Sequence, residues 1–191
     1  GVPVPSLAAE TIVDDTGTKY TFKIHEDAKW SDGKPVTAHD FEYSWKRVLN
    51  PEVASGAAFD LYYLKNGLAY NEGKVSADEV GVKAIDDHTL EVELENPTPY
   101  FLNLLCATSY YPVRQDVVEG EEEWTKSPET YLVTGPFTLE EIKPKEKYVL
   151  KKNPNYLNAD NVKLDTLEIV FIEAPEAELA AYMNGEIDVS D

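Results

Sequence analysis

Residues 18–49 read "TKYTFKIHEDAKWSDGKPVTAHDFEYSWKRVL", and three kinds of local order follow one another in them. Tyr20, Phe22 and Ile24 alternate with Thr21 and Lys23, the pattern of a half-buried strand with one apolar face. Asp32-Gly33 and Pro35 then supply a turn, Gly for its conformational freedom and Pro for its fixed φ. Thr37 stands before "AHDFEYSWKRVL" with Asp40 three residues on, a variant of the capping box. Phe41, Trp45, Val48 and Leu49 fall at helical spacing, so an amphipathic helix follows, and Asn50-Pro51 stops it. Trp30 is expected to pack beneath the turn. The stretch carries two histidines and several carboxylates, but each special residue has a structural task, and no catalytic one is required.

Working outward, residues 57–66, "AAFDLYYLKN", predict a second helix closed by Gly67 in the C-terminal capping position. Residues 68–80 form an irregular connection. "VGVKAIDDHTLEVEL" predicts a β-hairpin in which Val82, Ala84 and Ile85 approach a turn at Asp86-Asp87 and Leu90, Val92 and Leu94 alternate on the return. Pro97 and Pro99 precede a short apolar helix, "YFLNLLCA", and "SYYPV" is extended. From Arg114 the texture changes. A polar helix or pair of turns leads into a second hairpin, with its turn at Lys143-Pro144-Lys145. "TLEIVFI", residues 166–172, is almost continuously apolar and predicts a strand buried on both faces. Pro175 opens a helix over "EAELAAYM" and Asn184-Gly185 closes it. "EIDVS" resumes as a strand, so this end of the chain predicts a right-handed β-α-β crossover with parallel strands. A boundary near Val113 divides the chain into residues 1–113 and 114–191, each mixing helix and strand.

Composition removes several function classes. The 191 residues carry 36 acidic and 17 basic side chains, a net charge of −19. A field of that sign repels nucleic acid and anionic lipid, so no nucleic-acid partner is expected. The acidic run Glu119–Glu123 reads as a solvated face. The one cysteine, Cys106, allows no disulfide within the chain and no cysteine metal site. Its apolar context predicts a small buried hydrophobe. His25, His39 and His88 match no zinc spacing, so no metal is expected. There is no G-x-S-x-G, and Cys106 lacks a polar or basic neighbour to lower its pKa, which leaves no catalytic candidate. A glycosidase needs two carboxylates at a fixed separation across a cleft, which abundance of acids does not establish. "NPNYLNADN", residues 153–161, lacks the spacing of a calcium loop and reads as a surface loop. No glycine-rich phosphate loop occurs, and no cofactor is expected. No signal peptide, lipid-attachment box or apolar run of about 20 residues is present.

Four blocks now matter together: "YTFKIHEDAKWSDGKPVTAHDFEYSWKR", "GVKAIDDHTLEVELENPTPYF", "TGPFTLEEIKPKEKYVLKKNPNY" and "NGEIDVS". In order and spacing they resemble the bacterial extracellular solute-binding proteins of the peptide-transport family, most of all the oligopeptide-binding proteins of ABC importers. The resemblance runs over essentially the whole chain. It implies a periplasmic-binding-protein-like fold of type II, with residues 1–113 as a small accessory domain and 114–191 as part of the first ligand-binding lobe. The second lobe, which in the family supplies the acid that grips the peptide amine, matches nothing here. The family often shows an aromatic just after a Ser-Pro pair at the cleft border. The matching residues are Ser55, Gly56 and Ala57, so that ring is missing, and the pocket is expected to be wider or to be filled from elsewhere by Phe59 or Tyr62. Val189, Ser190 and Asp191, at the end of "EIDVSD", correspond to the strand that leads to the cleft edge and are expected to pair with an extended peptide. The resemblance further implies an oligopeptide ligand, ABC importer permease subunits as partners, no catalysis and a monomer. It places the protein in the periplasm or on the extracellular face of the cell membrane, held there by an N-terminal lipid anchor outside these residues. A dipeptide, nickel complex, haem or oligosaccharide is the alternative ligand; a hydrolase acting on peptides or sugars and an adhesion module are the more distant readings.

Overall fold

The computed structural model describes residues 4, 6–121 and 123–190. Two antiparallel sheets organise them. The first contains β1 (Ala8–Val13), β2 (Lys19–Ile24), β3 (Val82–Asp86) and β4 (Thr89–Glu93), in the order β1-β2-β4-β3. Its inward face follows from the alternation in sequence. Tyr20 lies opposite Val92 and Phe22 opposite Leu90, while Val82 and Ala84 flank the same two residues from β3. All six are buried. A one-residue slip would turn every one of them to solvent, so register and core specify each other. The edge strand β1, nearly all exposed, shows no alternation and was not expected from the sequence.

Helix α1 (Ala38–Leu49) covers this face and packs mainly on β3. The Asp40 carboxylate accepts the Thr37 N–H at 2.8 Å, the reciprocal arm of the predicted capping box. Inward, α1 buries Trp45 and Leu49, whose removal from water contributes about 1.5–3 kcal/mol for each large side chain. Trp45 also donates its indole N–H to the Tyr110 carbonyl at 2.8 Å. On the same helix Glu42 accepts the Ala84 N–H at 2.8 Å, beside the bulge in β3, and pairs with Lys46 at 2.6 Å. Burial pushes the Glu42 carboxyl up, but the bonds from Lys46 and Ala84 outweigh it, and the group stays below its ordinary value.

Residues 57–66 do not form the expected helix. A 3-10 turn over Ala58–Leu61 gives way to bridge pairing with the end of β4, where Leu64 lies opposite Leu94 and Lys65 donates to the Glu93 carbonyl. Sheet bonds to residues distant in sequence win over local helix propensity here. Gly67 opens helix α2 (Gly67–Asn71) instead of closing one. A Cβ there would sit 2.6 Å from the Leu61 carbonyl oxygen, so glycine is needed for close approach. The apolar helix α3 (Phe101–Leu104) is a single turn that buries Phe101. Cys106 just beyond it is exposed, contrary to expectation: the turn continues through it, with the Cys106 N–H bonded to the Asn103 carbonyl, but the buried side of the turn is taken by Phe101.

After α4 (Gln115–Val118) comes the second sheet: β5 (Phe137–Lys143), β6 (Lys147–Lys152) and β7 (Thr166–Val170), in that order. The hairpin turns where predicted, with Lys145 at φ 64. Two expectations fail. β7 is exposed along its whole length; among the described elements it packs mainly on its sheet neighbour β6. Helix α5 (Pro175–Met183) is present, with Pro175 at its start, but residues 186–190 form no strand and no parallel crossover closes. A strand needs a neighbouring strand to take its backbone bonds, and among the described residues none pairs with 186–190.

The two sheets meet at the Ser31–Lys34 turn. Arg114, 7% exposed, donates to Asp32 at 2.5 Å and through Nε to Asp116 at 2.9 Å, and Lys34 reaches Asp116 at 3.3 Å. The Arg114 hydrogen bond holds the Asp116 carboxyl down at about 2 from its ordinary 3.8. Burial raises Asp32, but Arg114 and the Lys34 N–H more than reverse this. Both folded carboxyls therefore titrate below their unfolded values. Their contribution to stability is complete above about pH 4 and disappears as pH falls toward 2. The melting temperature is expected to drop over that window, and to drop less in Asp116→Asn. Equal slopes in thermal melts of the two proteins from pH 5 to pH 2 would show that this cluster does not govern the acid limb.

Candidate ligand-binding surface

The residues predicted for the site fall in two groups. Ser55, Gly56, Ala57, Phe59 and Tyr62 surround the 3-10 turn over Ala58–Leu61. Ser55 organises it, accepting the Ala57 N–H at Oγ and the Ala58 N–H at its carbonyl. Gly56 has open space on the side where a Cβ would stand. The two aromatic candidates behave differently. Tyr62 donates its hydroxyl to Asn71 at 2.6 Å, and Asn71 in turn donates to the Leu49 carbonyl, so this ring is held in the scaffold between α1 and α2. Phe59 is 63% exposed and available for contact.

Sequence reasoning missed what presents Phe59. Ser109 donates to the Asp60 carboxylate at 2.8 Å, and the Tyr110 hydroxyl donates to the Asp60 carbonyl at 2.6 Å. Tyr110 is buried, and burial first and the Asp60 charge second raise its phenol far above the ordinary value, so it acts as a neutral donor. The partners lie about fifty positions apart in sequence, and no local spacing announces them. Nearby, the Tyr63 and Tyr100 rings meet edge to face with centroids 6.0 Å apart, and Tyr100 is 53% exposed.

The second group follows α5. Val189 is 81% exposed and Ser190 is exposed, both in irregular backbone; Asp191 lies outside the described residues. Among the described residues no backbone hydrogen bond joins the two groups. An open groove of about 590 Å³ runs along α1, lined by His39, Tyr43, Arg47, Tyr70 and Glu119 among others, and touches neither group. Two of its lining groups are engaged in place: Lys46 pairs with Glu42, and His39 lies 3.4 Å from Asp87. Among the described residues no cluster of three His, Cys, Asp or Glu side chains is placed to hold a metal, and no helix is long and apolar enough to cross a membrane. "NPNYLNADN" is more than the surface loop expected. Asn153 is fully buried, donating to the Gly135 carbonyl at 2.8 Å and accepting from the Asn155 N–H at 3.0 Å, and so closes the base of the β5–β6 hairpin.

The described residues thus pair a helix-covered antiparallel sheet with a second, more exposed hairpin sheet. The model of the bacterial extracellular solute-binding proteins, family 5 (middle), matches residues 2–191, and the chain belongs to that family. The oligopeptide-binding protein OppA of Bacillus subtilis (strain 168) is 41% identical over 189 residues, 98% of this chain and 35% of that protein. The dipeptide-binding protein DppE of the same strain is 39% identical over 188 residues, again 98% and 35%. The structure of Listeria monocytogenes OppA bound to peptide superposes with a TM-score of 0.93 at 35% identity, over 98% of this chain and 37% of that one. The fold is thus the periplasmic-binding-protein-like one that the resemblance implied. The chain spans about a third of the length of the curated relatives it matches.

Proposed function

We propose that the protein carrying this chain captures extracellular oligopeptides and delivers them to the permease of an ABC importer. Residues 1–113 serve as its accessory domain and residues 114–191 as part of the first ligand-binding lobe. The observation that carries this reading is the close superposition, through 98% of the chain, on an OppA bound to peptide. The peptide is held by strand-like addition, in which main-chain hydrogen bonds are indifferent to side-chain identity. Val189, Ser190 and Asp191 contribute backbone partners, and Phe59 borders the gap left open at Ser55–Ala57. Hydrated pockets accept varied side chains. Transport energy comes from a separate ATPase, and the ligand leaves unchanged. The protein acts as a monomer at the outer face of the membrane, lipid-anchored, or in the periplasm.

Calorimetry of the full-length protein against a library of di- to pentapeptides tests the reading. Saturable heats with intact peptides recovered by mass spectrometry support it; cleaved peptides, or no binding across the library, overturn it. The likeness to a dipeptide-binding protein makes ligand length the open variable, and the same titrations resolve it. Phe59→Ala is expected to change stability by less than about 0.5 kcal/mol, as for exposed side chains generally. It is expected to weaken peptide binding about tenfold, a loss of about 1.4 kcal/mol. Unchanged affinity in the same titration would remove Phe59 from the site.

A further inference from the structure

The Ser31–Lys34 turn receives bonds from three segments that are far apart in sequence. Arg114 and Asp116, at the start of α4, hold Asp32 and Lys34. Ser31 donates its N–H to the Val133 carbonyl at 2.8 Å and accepts the Val133 N–H at Oγ at 3.2 Å. Asn155 donates to the Ser31 carbonyl at 2.9 Å. Val133 precedes β5 and Asn155 follows β6, so these bonds grip both legs of the hairpin at its base. Gly33, at φ 88, gives the turn a shape that other residues adopt with strain.

The buried guanidinium is the informative part. Arg114 spends its planar fork on two carboxylates at once, Nη1 on Asp32 and Nε with Nη2 on Asp116. Burying a cation costs several kcal/mol, and a well-packed apolar side chain commonly serves stability as well or better. What the fork supplies is orientation, because bidentate geometry fixes the angle between its partners as a single ammonium cannot. The hairpin runs seven residues beyond this joint, about 23 Å, so a rotation of about 10° at the base would move its tip by about 4 Å.

We propose that Arg114 is a positioning residue: clamped between Asp32 and Asp116, it fixes the Ser31–Lys34 turn, and through Ser31, which bonds Val133 and Asn155, it holds the β5–β6 hairpin at one angle to the first sheet and so sets the gap that the ligand enters. The second half of this statement rests on the peptide-capture reading; the clasp itself does not. The test uses the full-length protein with spin labels on Cys106 and on Glu146→Cys at the hairpin turn, any cysteine outside this chain being replaced. Both positions are exposed. The parent is expected to give one narrow distance distribution. Arg114→Met is expected to broaden it at least twofold and to raise the peptide Kd at least tenfold, with Arg114→Lys intermediate in both, at temperatures well below melting. An unchanged width in Arg114→Met overturns the clasp, and a broadened distribution with Kd within twofold of the parent overturns the positioning role. If Arg114→Met does not fold, Asp32→Asn carries the same two measurements with the same expectations. A parent protein that binds no peptide refutes the capture reading instead, and the distance widths still decide the clasp.

Discussion

Replacing Trp30 by alanine will lower the unfolding free energy by about 3–5 kcal/mol, the range for deleting a buried aromatic side chain. The ring is 2% exposed and belongs to the apolar cluster that includes Val36, Ala38 and Trp45. Its backbone also forms the turn: the Trp30 N–H bonds to the Lys34 carbonyl at 2.8 Å, and the Gly33 N–H bonds to the Trp30 carbonyl at 2.9 Å. The indole N–H reaches Asp40 at 3.2 Å. That carboxylate oxygen also accepts from Thr37 N and Thr37 Oγ1, so losing the indole leaves it still satisfied. Most of the loss is therefore the cavity and the apolar surface re-exposed, with a smaller part from the hydrogen bond. Trp30→Phe separates the two, refilling much of the space without the donor, and is expected to cost about 1–2 kcal/mol. Urea unfolding measures both; the midpoint should fall while the slope holds, since the area exposed on unfolding hardly changes. A loss below about 1 kcal/mol for Trp30→Ala would mean that the neighbouring core collapses into the space. Against a total stability of about 5–15 kcal/mol, the expected loss is a large fraction of the whole.

That Trp30 was legible from sequence, while Arg114 was not, shows where such reading works. Tyr20, Phe22 and Ile24 announce a strand because one side of the sheet is buried under α1 and the other is not, so burial copies itself into a period of two. The same holds for Leu90, Val92 and Leu94, and the cap at Thr37 is written within four residues. Arg114 meets Asp32 across 82 positions, and nothing in "PVRQDV" foretells a buried guanidinium. Residues 63–65 looked helical because the bonds that claim them come from residues 93–95. The β7 run, read as buried on both faces, is exposed at Leu167, Ile169 and Val170. Apolar composition alone does not say what packs on a strand, and among the described elements β7 packs mainly on β6. Of the candidate site, Phe59 and Tyr62 were both named, but only a structure shows that Asn71 ties Tyr62 into the scaffold while Asp60, Ser109 and Tyr110 prop Phe59 outward.

The 191-residue chain alone will bind short peptides no more tightly than about 1 mM, against about 1 μM or better for the full-length protein, a difference of about 4 kcal/mol. Binding an extended peptide orders both partners and removes their translational freedom, and only the surplus of contact energy over that cost appears as affinity. In this chain the surplus is small. Phe59 is 63% exposed and Val189 81% exposed, so a peptide laid against either keeps one side in water. Water competes for every main-chain hydrogen bond formed there, and each then contributes about 1 kcal/mol or less. Residues 186–190 form no strand, so they must also be ordered before they can pair with a ligand, at about 1–2 kcal/mol for each backbone unit fixed. In a clamp, closure of a second lobe removes that water and offers the other row of partners, which makes the same hydrogen bonds stronger and the ordering cost already met. Calorimetry of the isolated chain, shown to be folded by its circular dichroism and melting transition, against the tightest peptide for the full-length protein checks this directly. Micromolar binding by the isolated chain would place a complete site within these residues and remove the need for a second lobe.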